Sequence, residues 1–162
     1  MSIFDIEIGA LTDGSANLAN CRGKALLIVN VASRCGLTAQ YTELQALQDA
    51  YGDRGLTVVA VPCNQFAGQE PGGSAEIEQC ARGTYHATFP ITEKVDVNGP
   101  GRHPLYQALV DVPDIDGYTG DIRWNFEKFV IAPDGAVAAR FSPQVTPQSP
   151  EVVAVIEKVL PA

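Results

Sequence analysis

Residues 25–38, "ALLIVNVASRCGLT", contain the abrupt change of pattern that decides the fold. Residues 25–32 are apolar except for Asn30, which predicts a strand buried on both faces, as central parallel strands are. The apolar run stops just before Cys35. Apolar residues then recur at helical spacing as far as Gly52, which predicts a helix. A cysteine therefore lies where a core strand gives way to a helix.

A second apolar strand is predicted at residues 56–62, "LTVVAVP", so the strand, helix and strand form a parallel βαβ unit. Further elements are predicted downstream: a helix at about 74–82, an extended segment at 89–97, a helix with Pro104 in its first turn, a hairpin turning at 133–135, and a last helix with Ser149 as N-cap and Pro150 at its first position. This order predicts one α/β domain over residues 1–162, with a central mixed β-sheet flanked by helices.

Composition narrows the classes of partner. The net charge of −8 leaves no basic stripe to neutralise phosphates, so neither a nucleic acid nor an anionic membrane surface is an expected partner. No apolar stretch approaches the roughly 20 residues that span a bilayer. The first ten residues lack the features of a secretory signal, and we expect a cytoplasmic protein.

Four cysteines, at positions 21, 35, 63 and 80, form no C-x-x-C motif and suit a reducing compartment. His86 and His103 are too isolated to complete a metal-binding pattern, so no metal site is expected. Cys63 ends a buried strand and is interpreted as a packing residue. Cys21 precedes the first core strand and is given no role.

Cys35 has two interpretations from its position alone. Reactive groups collect beyond the carboxyl ends of strands in open α/β sheets, and the unpaired N–H groups of a helix start would favour a thiolate there. A thiolate is the nucleophile of peroxide reduction and of thiol exchange. A free cysteine is equally at home as a small buried apolar residue, and position does not decide between these alternatives.

Three segments carry a family resemblance: "NVASRCGLTAQY" at 30–41, "CNQFAGQEPG" at 63–72 and "WNFEKF" at 124–129. They resemble the three signature segments of the glutathione peroxidase family, in the same order and at similar separations. The likeness runs from about Phe4 to Leu160. It implies a thioredoxin-like fold and an enzyme that reduces hydrogen peroxide and organic hydroperoxides, with a thiol co-substrate and no bound cofactor.

Carried over residue by residue, the resemblance makes Cys35 the peroxidatic cysteine. Gln69, Trp124 and Asn125 match the polar residues that surround its sulfur. Their amide and indole N–H groups can donate to a thiolate or a peroxide oxygen, and such donors stabilise the charge that develops as the O–O bond breaks. Taken singly, Gln69 could be a solvated loop residue, Trp124 a core anchor and Asn125 a turn residue.

The resemblance leaves two routes for reducing the oxidised cysteine: direct attack by glutathione, or an internal disulfide that thioredoxin reduces. Members of the second type carry a resolving cysteine on the helix after the glutamine motif, where Cys80 lies. Judged against Phe89-Pro90, Cys80 sits one or two positions early. We expect two free, separated sulfurs in the reduced form and a Cys80 segment that unfolds easily, because its neighbours bury little apolar surface.

Further expectations concern the assembly, the partners and the class of function. The stretch between Val110 and Trp124 is short where oligomeric members carry an insertion, which predicts a monomer. Arg34 and Arg123 could supply a basic rim for glutathione or an acidic partner. The alternative to a peroxidase is a peroxide sensor or redox relay that passes a disulfide to a regulatory partner. A noncatalytic thioredoxin-fold binding module is disfavoured by the complete polar set around Cys35.

Overall fold

The computed structural model of the protein describes residues 2–12, 16 and 18–161. Its sheet has the order β2-β1-β3-β4, with β1 parallel to β2 and the pairs β1–β3 and β3–β4 antiparallel. The strands are β1 (Ala25–Val31), β2 (Leu56–Pro62), β3 (Lys128–Ile131) and β4 (Val137–Phe141). The predicted central mixed sheet is confirmed.

Helices cover both faces of this sheet. They are α1 (Gln40–Tyr51), α2 (Ser74–Glu78), α3 (Pro104–Leu109) and α4 (Pro150–Val159). Successive strand side chains point to opposite faces, so Leu26 and Ile28 of β1 join the core beneath α3 while Leu27 and Val29 join the core beneath α1 and α4. Every residue of β1 is buried, as its apolar run predicts.

The outer edge of β2 is paired with the predicted extended segment. The N–H of Ala60 donates to the carbonyl of Pro90 over 3.0 Å, and the N–H of Thr92 donates to the carbonyl of Ala60 over 2.9 Å. The segment therefore covers an edge whose backbone groups would otherwise be unpaired.

The predicted hairpin and last helix are confirmed. Gly135 turns the hairpin with φ of +92°, a left-handed conformation that suits glycine. Ser149 and Pro150 occupy the first positions of α4 as predicted, but the Ser149 side chain makes no capping hydrogen bond.

One helix start differs from the prediction. Helix α1 begins at Gln40, so Cys35 lies in the preceding turns and does not open the helix. The reason is Thr38, whose hydroxyl accepts the Cys35 N–H at 3.0 Å and donates to the carbonyl of Ala32 at 2.8 Å. These two bonds hold the chain in a local turn before the helix can form.

The predicted helix at 74–82 is also different in form. Helix α2 ends at Glu78, and a π-helical turn follows at Gln79–Thr84 and contains Cys80. The expectation that this segment buries little is wrong: Ala81 is fully buried, and Arg82 donates to the carbonyls of Ala87 and Phe89 at 2.8 and 3.0 Å.

Candidate active site

Three loops converge at the carboxyl ends of β1 and β2. The Cys35 loop follows β1, and the Gln69 loop follows β2. Trp124 and Asn125 lie in the turn before β3, which begins at Lys128, runs antiparallel to β1 and pairs Lys128 with Val29. Because the start of β3 lies beside the end of β1, the strand order brings the three signature segments to one edge of the sheet.

The thiol of Cys35 is half-buried and free. Its Sγ accepts a hydrogen bond from the N–H of Leu37 at 3.2 Å, which is the one hydrogen bond to this sulfur within the described part of the chain. This backbone N–H takes the place of the helix-start donors that the sequence predicted.

The side chains of Gln69 and Asn125 are in direct contact. Nδ2 of Asn125 donates to Oε1 of Gln69 over 3.0 Å, with Asn125 fully buried and Gln69 half-buried. The Gln69 carbonyl accepts the N–H of Arg34 at 3.0 Å, which ties this loop to the residue before Cys35. The interpretation of Gln69 as a merely solvated loop residue is therefore wrong.

Two N–H donors of this set remain free for another acceptor. Neither Nε2 of Gln69 nor Nε1 of Trp124 has a hydrogen-bond partner among residues 2–12, 16 and 18–161. Trp124 is 36% exposed and packs its indole against the ring of Phe66 with centroids 5.7 Å apart. A tryptophan this exposed is not a core anchor.

Asn30 positions the Trp124–Asn125 turn, a role that the sequence analysis missed. The side-chain Nδ2 of Asn30 donates to the backbone carbonyl of Trp124 at 3.0 Å, and the backbone carbonyl of Asn30 accepts the N–H of Phe126 at 2.6 Å. The signal was present, since Asn30 is the one polar residue of β1. A buried polar side chain in a central strand needs a specific partner.

The loops that carry Gln69 and Asn125 each contain a residue with positive φ within two positions of the side-chain amide. Phe126 follows Asn125 with φ of +68°, and Ala67 lies two residues before Gln69 with φ of +57°. Positive φ is uncommon for residues with a side chain, costs about 1–3 kcal/mol and persists only where the surroundings impose it. Full burial of Phe126 and its short bond to Asn30 impose it here.

A buried ion network fixes the chain on both sides of this turn. Glu127 accepts from Arg140 at 2.6 Å and from Arg123 at 3.0 Å, and Arg123 also donates to Asp114 at 2.8 Å. Arg140 and Glu127 are fully buried. Because the Arg123 guanidinium is paired with two carboxylates, the hypothesis of an Arg123 basic rim is wrong.

Cys80 lies beside the Cys35 loop. Burial raises the pKa of the Cys80 thiol, the nearby Glu70 charge raises it further, and the facing Ser33 hydroxyl partly opposes both. Glu70 is itself buried, which raises its pKa, and its Oε1 accepts the N–H of Ser33 at 3.0 Å. Cys80 is half-buried and free, as expected for the reduced form.

The other two cysteines lie inside the protein. Cys21 and Cys63 are buried, and burial raises the pKa of each thiol. Both properties fit the packing role predicted for Cys63. Within the described ranges, no three His, Cys, Asp or Glu side chains are grouped so that they could hold a metal ion, and no helix is long and apolar enough to cross a membrane.

Comparison with known proteins decides the family. The family model described as glutathione peroxidase matches residues 3–110. The hydroperoxy fatty acid reductase Gpx2 of Synechocystis sp. is 53% identical over 137 residues, which cover 85% of each chain. The chain belongs to the glutathione peroxidase family. The resemblance seen in the three signature segments is thereby confirmed, and so is the prediction of a peroxidase enzyme.

Other members of the glutathione peroxidase family support the same assignment. The thioredoxin/glutathione peroxidase BtuE of Escherichia coli is 46% identical and covers 98% of this chain and 97% of its own. The crystal structure of T. cruzi GPX1 superposes with a TM-score of 0.74 at 36% identity, over 98% of this chain and 94% of that one.

A thioredoxin-family thiol:disulfide interchange protein of Chlorobium tepidum, 18% identical, shares the fold with a TM-score of 0.67 over 95% of this chain and 92% of its own. The predicted thioredoxin-like fold is confirmed.

Proposed function

We propose that this protein is a thiol peroxidase whose peroxidatic residue is Cys35. The Cys35 thiolate attacks one peroxide oxygen, the O–O bond breaks, and the sulfur is oxidised to a sulfenic acid. The other oxygen leaves as water or an alcohol after taking a proton. Family membership supports the reaction class.

The single observation that carries the site assignment is the Asn125–Gln69 hydrogen bond beside the Cys35 loop. This bond occupies Oε1 of Gln69 and so fixes which end of the amide faces away from Asn125. Its Nε2, together with Nε1 of Trp124, is then the end left to stabilise negative charge on the departing oxygen. Neither donor changes its protonation state in the step.

Cys80 is the proposed resolving cysteine. Its sulfur attacks the Cys35 sulfenic acid, a Cys35–Cys80 disulfide forms, and the sulfenic oxygen leaves as water with the proton of the Cys80 thiol. The position of Cys80 beside Ser33 and Glu70, which hold the Cys35 loop, supports this role. We propose that resolution includes a local opening step in which the buried Ala81 and the two Arg82 bonds release.

Thioredoxin is the proposed reductant of that disulfide, with direct reduction by glutathione as the competing route. The E. coli relative is named a thioredoxin/glutathione peroxidase, which is compatible with either. We also propose that the protein acts as a cytoplasmic monomer without a bound cofactor. The short segment between α3 and Trp124 supports the monomer.

The test is a coupled assay of NADPH consumption with hydrogen peroxide, run with thioredoxin and thioredoxin reductase and, in parallel, with glutathione and its reductase. Sustained turnover with thioredoxin is expected, and Cys35→Ser should abolish it while far-UV circular dichroism stays unchanged. Oxidation of Cys35 without sustained turnover in either assay would favour the peroxide sensor or redox relay. Substantial activity of Cys35→Ser would overturn the site assignment.

A further inference from the structure

A cavity of about 200 Å³ lies next to the candidate site and has no role in the mechanism above. Its lining residues are Leu37, Arg123, Trp124, Ser142, Pro143 and Gln144. Two of them belong to the site: the Leu37 N–H bonds the Cys35 sulfur at 3.2 Å, and Trp124 carries one of the free donors. The cavity therefore shares two residues with the surroundings of the reacting atom.

Buried side chains fix the position of Pro143 in the wall of the cavity. The carbonyl of Pro143 accepts hydrogen bonds from Nζ of Lys128 at 3.0 Å and from Nε2 of Gln40 at 2.9 Å. Lys128 is fully buried, and Gln40 is 5% exposed. Two buried donors on one loop carbonyl keep the Pro143 ring in place whether or not the cavity is filled.

The chemistry of the lining selects an apolar occupant. Leu37, Trp124 and Pro143 supply apolar wall, and Ser142 and Gln144 are uncharged. Arg123 is the one ionised side chain of the lining, and its charge is already paired with Asp114 and Glu127. An anionic head group would find no free cation there, whereas an alkyl chain would exclude water from an apolar wall.

We infer that this cavity is the subsite for the neutral alkyl group of an organic hydroperoxide. The inference rests on the proposed function, because it presumes that Cys35 attacks the hydroperoxide oxygen. The alkyl chain of the substrate runs along Leu37 and Trp124 toward Pro143 and brings the hydroperoxide group to the Cys35 sulfur. The cavity holds about six groups the size of a water molecule, so it takes about six chain carbons.

The first test measures the second-order rate of Cys35 oxidation by stopped flow for hydrogen peroxide and a series of linear alkyl hydroperoxides. Each methylene that enters the cavity should raise the rate constant by up to about fourfold relative to the next shorter chain. The rise should level off near six carbons. A flat series would overturn the subsite and leave the peroxidase assignment intact, whereas no oxidation by any peroxide would overturn the proposed function itself.

The second test fills the cavity. Ser142→Phe should lower the ratio of the hexyl hydroperoxide rate to the hydrogen peroxide rate by tenfold or more. Gln144→Trp, at an exposed lining position, should lower the same ratio. It keeps the test valid if Ser142→Phe does not fold. The matched control is Gln107→Phe on α3, which should keep the wild-type ratio. An unchanged ratio in both cavity variants would overturn the subsite.

Discussion

The side-chain amide of Asn125 donates to the side-chain oxygen of Gln69 over 3.0 Å, across 56 positions of sequence. This bond joins the loop after β2 to the turn before β3, and it makes the two amides act as a unit. Asn125 fixes the orientation of the Gln69 amide, and Gln69 presents its remaining N–H groups. Residues that share a hydrogen bond have non-additive effects when they are changed.

We expect Gln69→Ala to slow Cys35 oxidation by about a hundredfold, the typical effect of removing one donor that stabilises developing charge. Asn125→Ala should slow it by up to the same factor, because it releases the amide that presents this donor. The double variant should be slower than wild type by less than the product of the two single effects, with a coupling of about 0.5–3 kcal/mol. Stopped-flow oxidation with hydrogen peroxide gives all four rates.

The control for this cycle is Asn98→Ala. The Asn98 amide bonds the backbone of Ile122 at 2.8 and 2.9 Å and, in the described part of the chain, shares no hydrogen bond with Asn125 or Gln69, so its loss should lower stability and leave the oxidation rate near wild type. Strictly additive effects of the Asn125 and Gln69 variants would contradict the conclusion that the two amides act as a unit.

Cys80→Ser should lose thioredoxin-driven turnover while its first oxidation by peroxide proceeds at the wild-type rate. Peptide mapping of peroxide-treated wild-type protein should show Cys35 linked to Cys80, since both thiols are free and half-buried near the same loop. Hydrogen exchange should increase at Gln79–Thr84 on oxidation. Cys21→Ala, at a buried position, serves as the control and should keep turnover. A peptide map that joins Cys35 to Cys63 or Cys21 would rule out Cys80 as the resolving cysteine.

Glu127→Gln should lower the free energy of unfolding by about 3–5 kcal/mol, because it leaves two arginines without the carboxylate that both contact, one of them fully buried. Urea titration measures the loss. The matched control is Glu157→Gln, whose ion pair with Arg54 is exposed, and it should change the free energy by less than about 0.5 kcal/mol. Equal effects of the two variants would contradict a structural role for the buried network.

Lys128 should make stability rise with pH above neutrality. Burial lowers the pKa of Lys128 from its ordinary 10.5 to about 7, although the Glu127 charge opposes this shift. The unfolded chain therefore binds more protons than the native state between about pH 7 and 10.5, and the free energy of unfolding gains at most about 1.4 kcal/mol per pH unit there. The contribution is present in full above pH 10.5 and is lost as the pH falls toward 7.

The check is urea unfolding at several pH values for wild type, Lys128→Met and Lys158→Met. The Lys128 variant should lose this part of the pH slope, whereas the exposed Lys158 variant should keep it. An identical slope in the Lys128 variant would show that this lysine is charged in the native protein over that range.

Local pattern was sufficient for most of the fold. The apolar runs of β1 and β2 predicted two buried parallel strands, although β2 is the outermost of the four strands, and the turn at Gly135 and the start of α4 were predicted at their observed positions. These features depend on nearest neighbours: side-chain periodicity, a positive φ that glycine tolerates, and a proline that suits a first helical turn. The start of α1 was misplaced because the bond from Thr38 to Ala32 competes locally with helix formation.

The resemblance of three short segments was sufficient to name the residues of the candidate site, but not their arrangement. The Asn125–Gln69 bond, the support of Trp124 by Asn30 and the pairing of Arg123 with Asp114 and Glu127 depend on strand order. A charged or amide side chain can be buried only where a partner from another segment satisfies it. Sequence therefore determined which groups are present, and only the tertiary structure decided which of them are paired with one another.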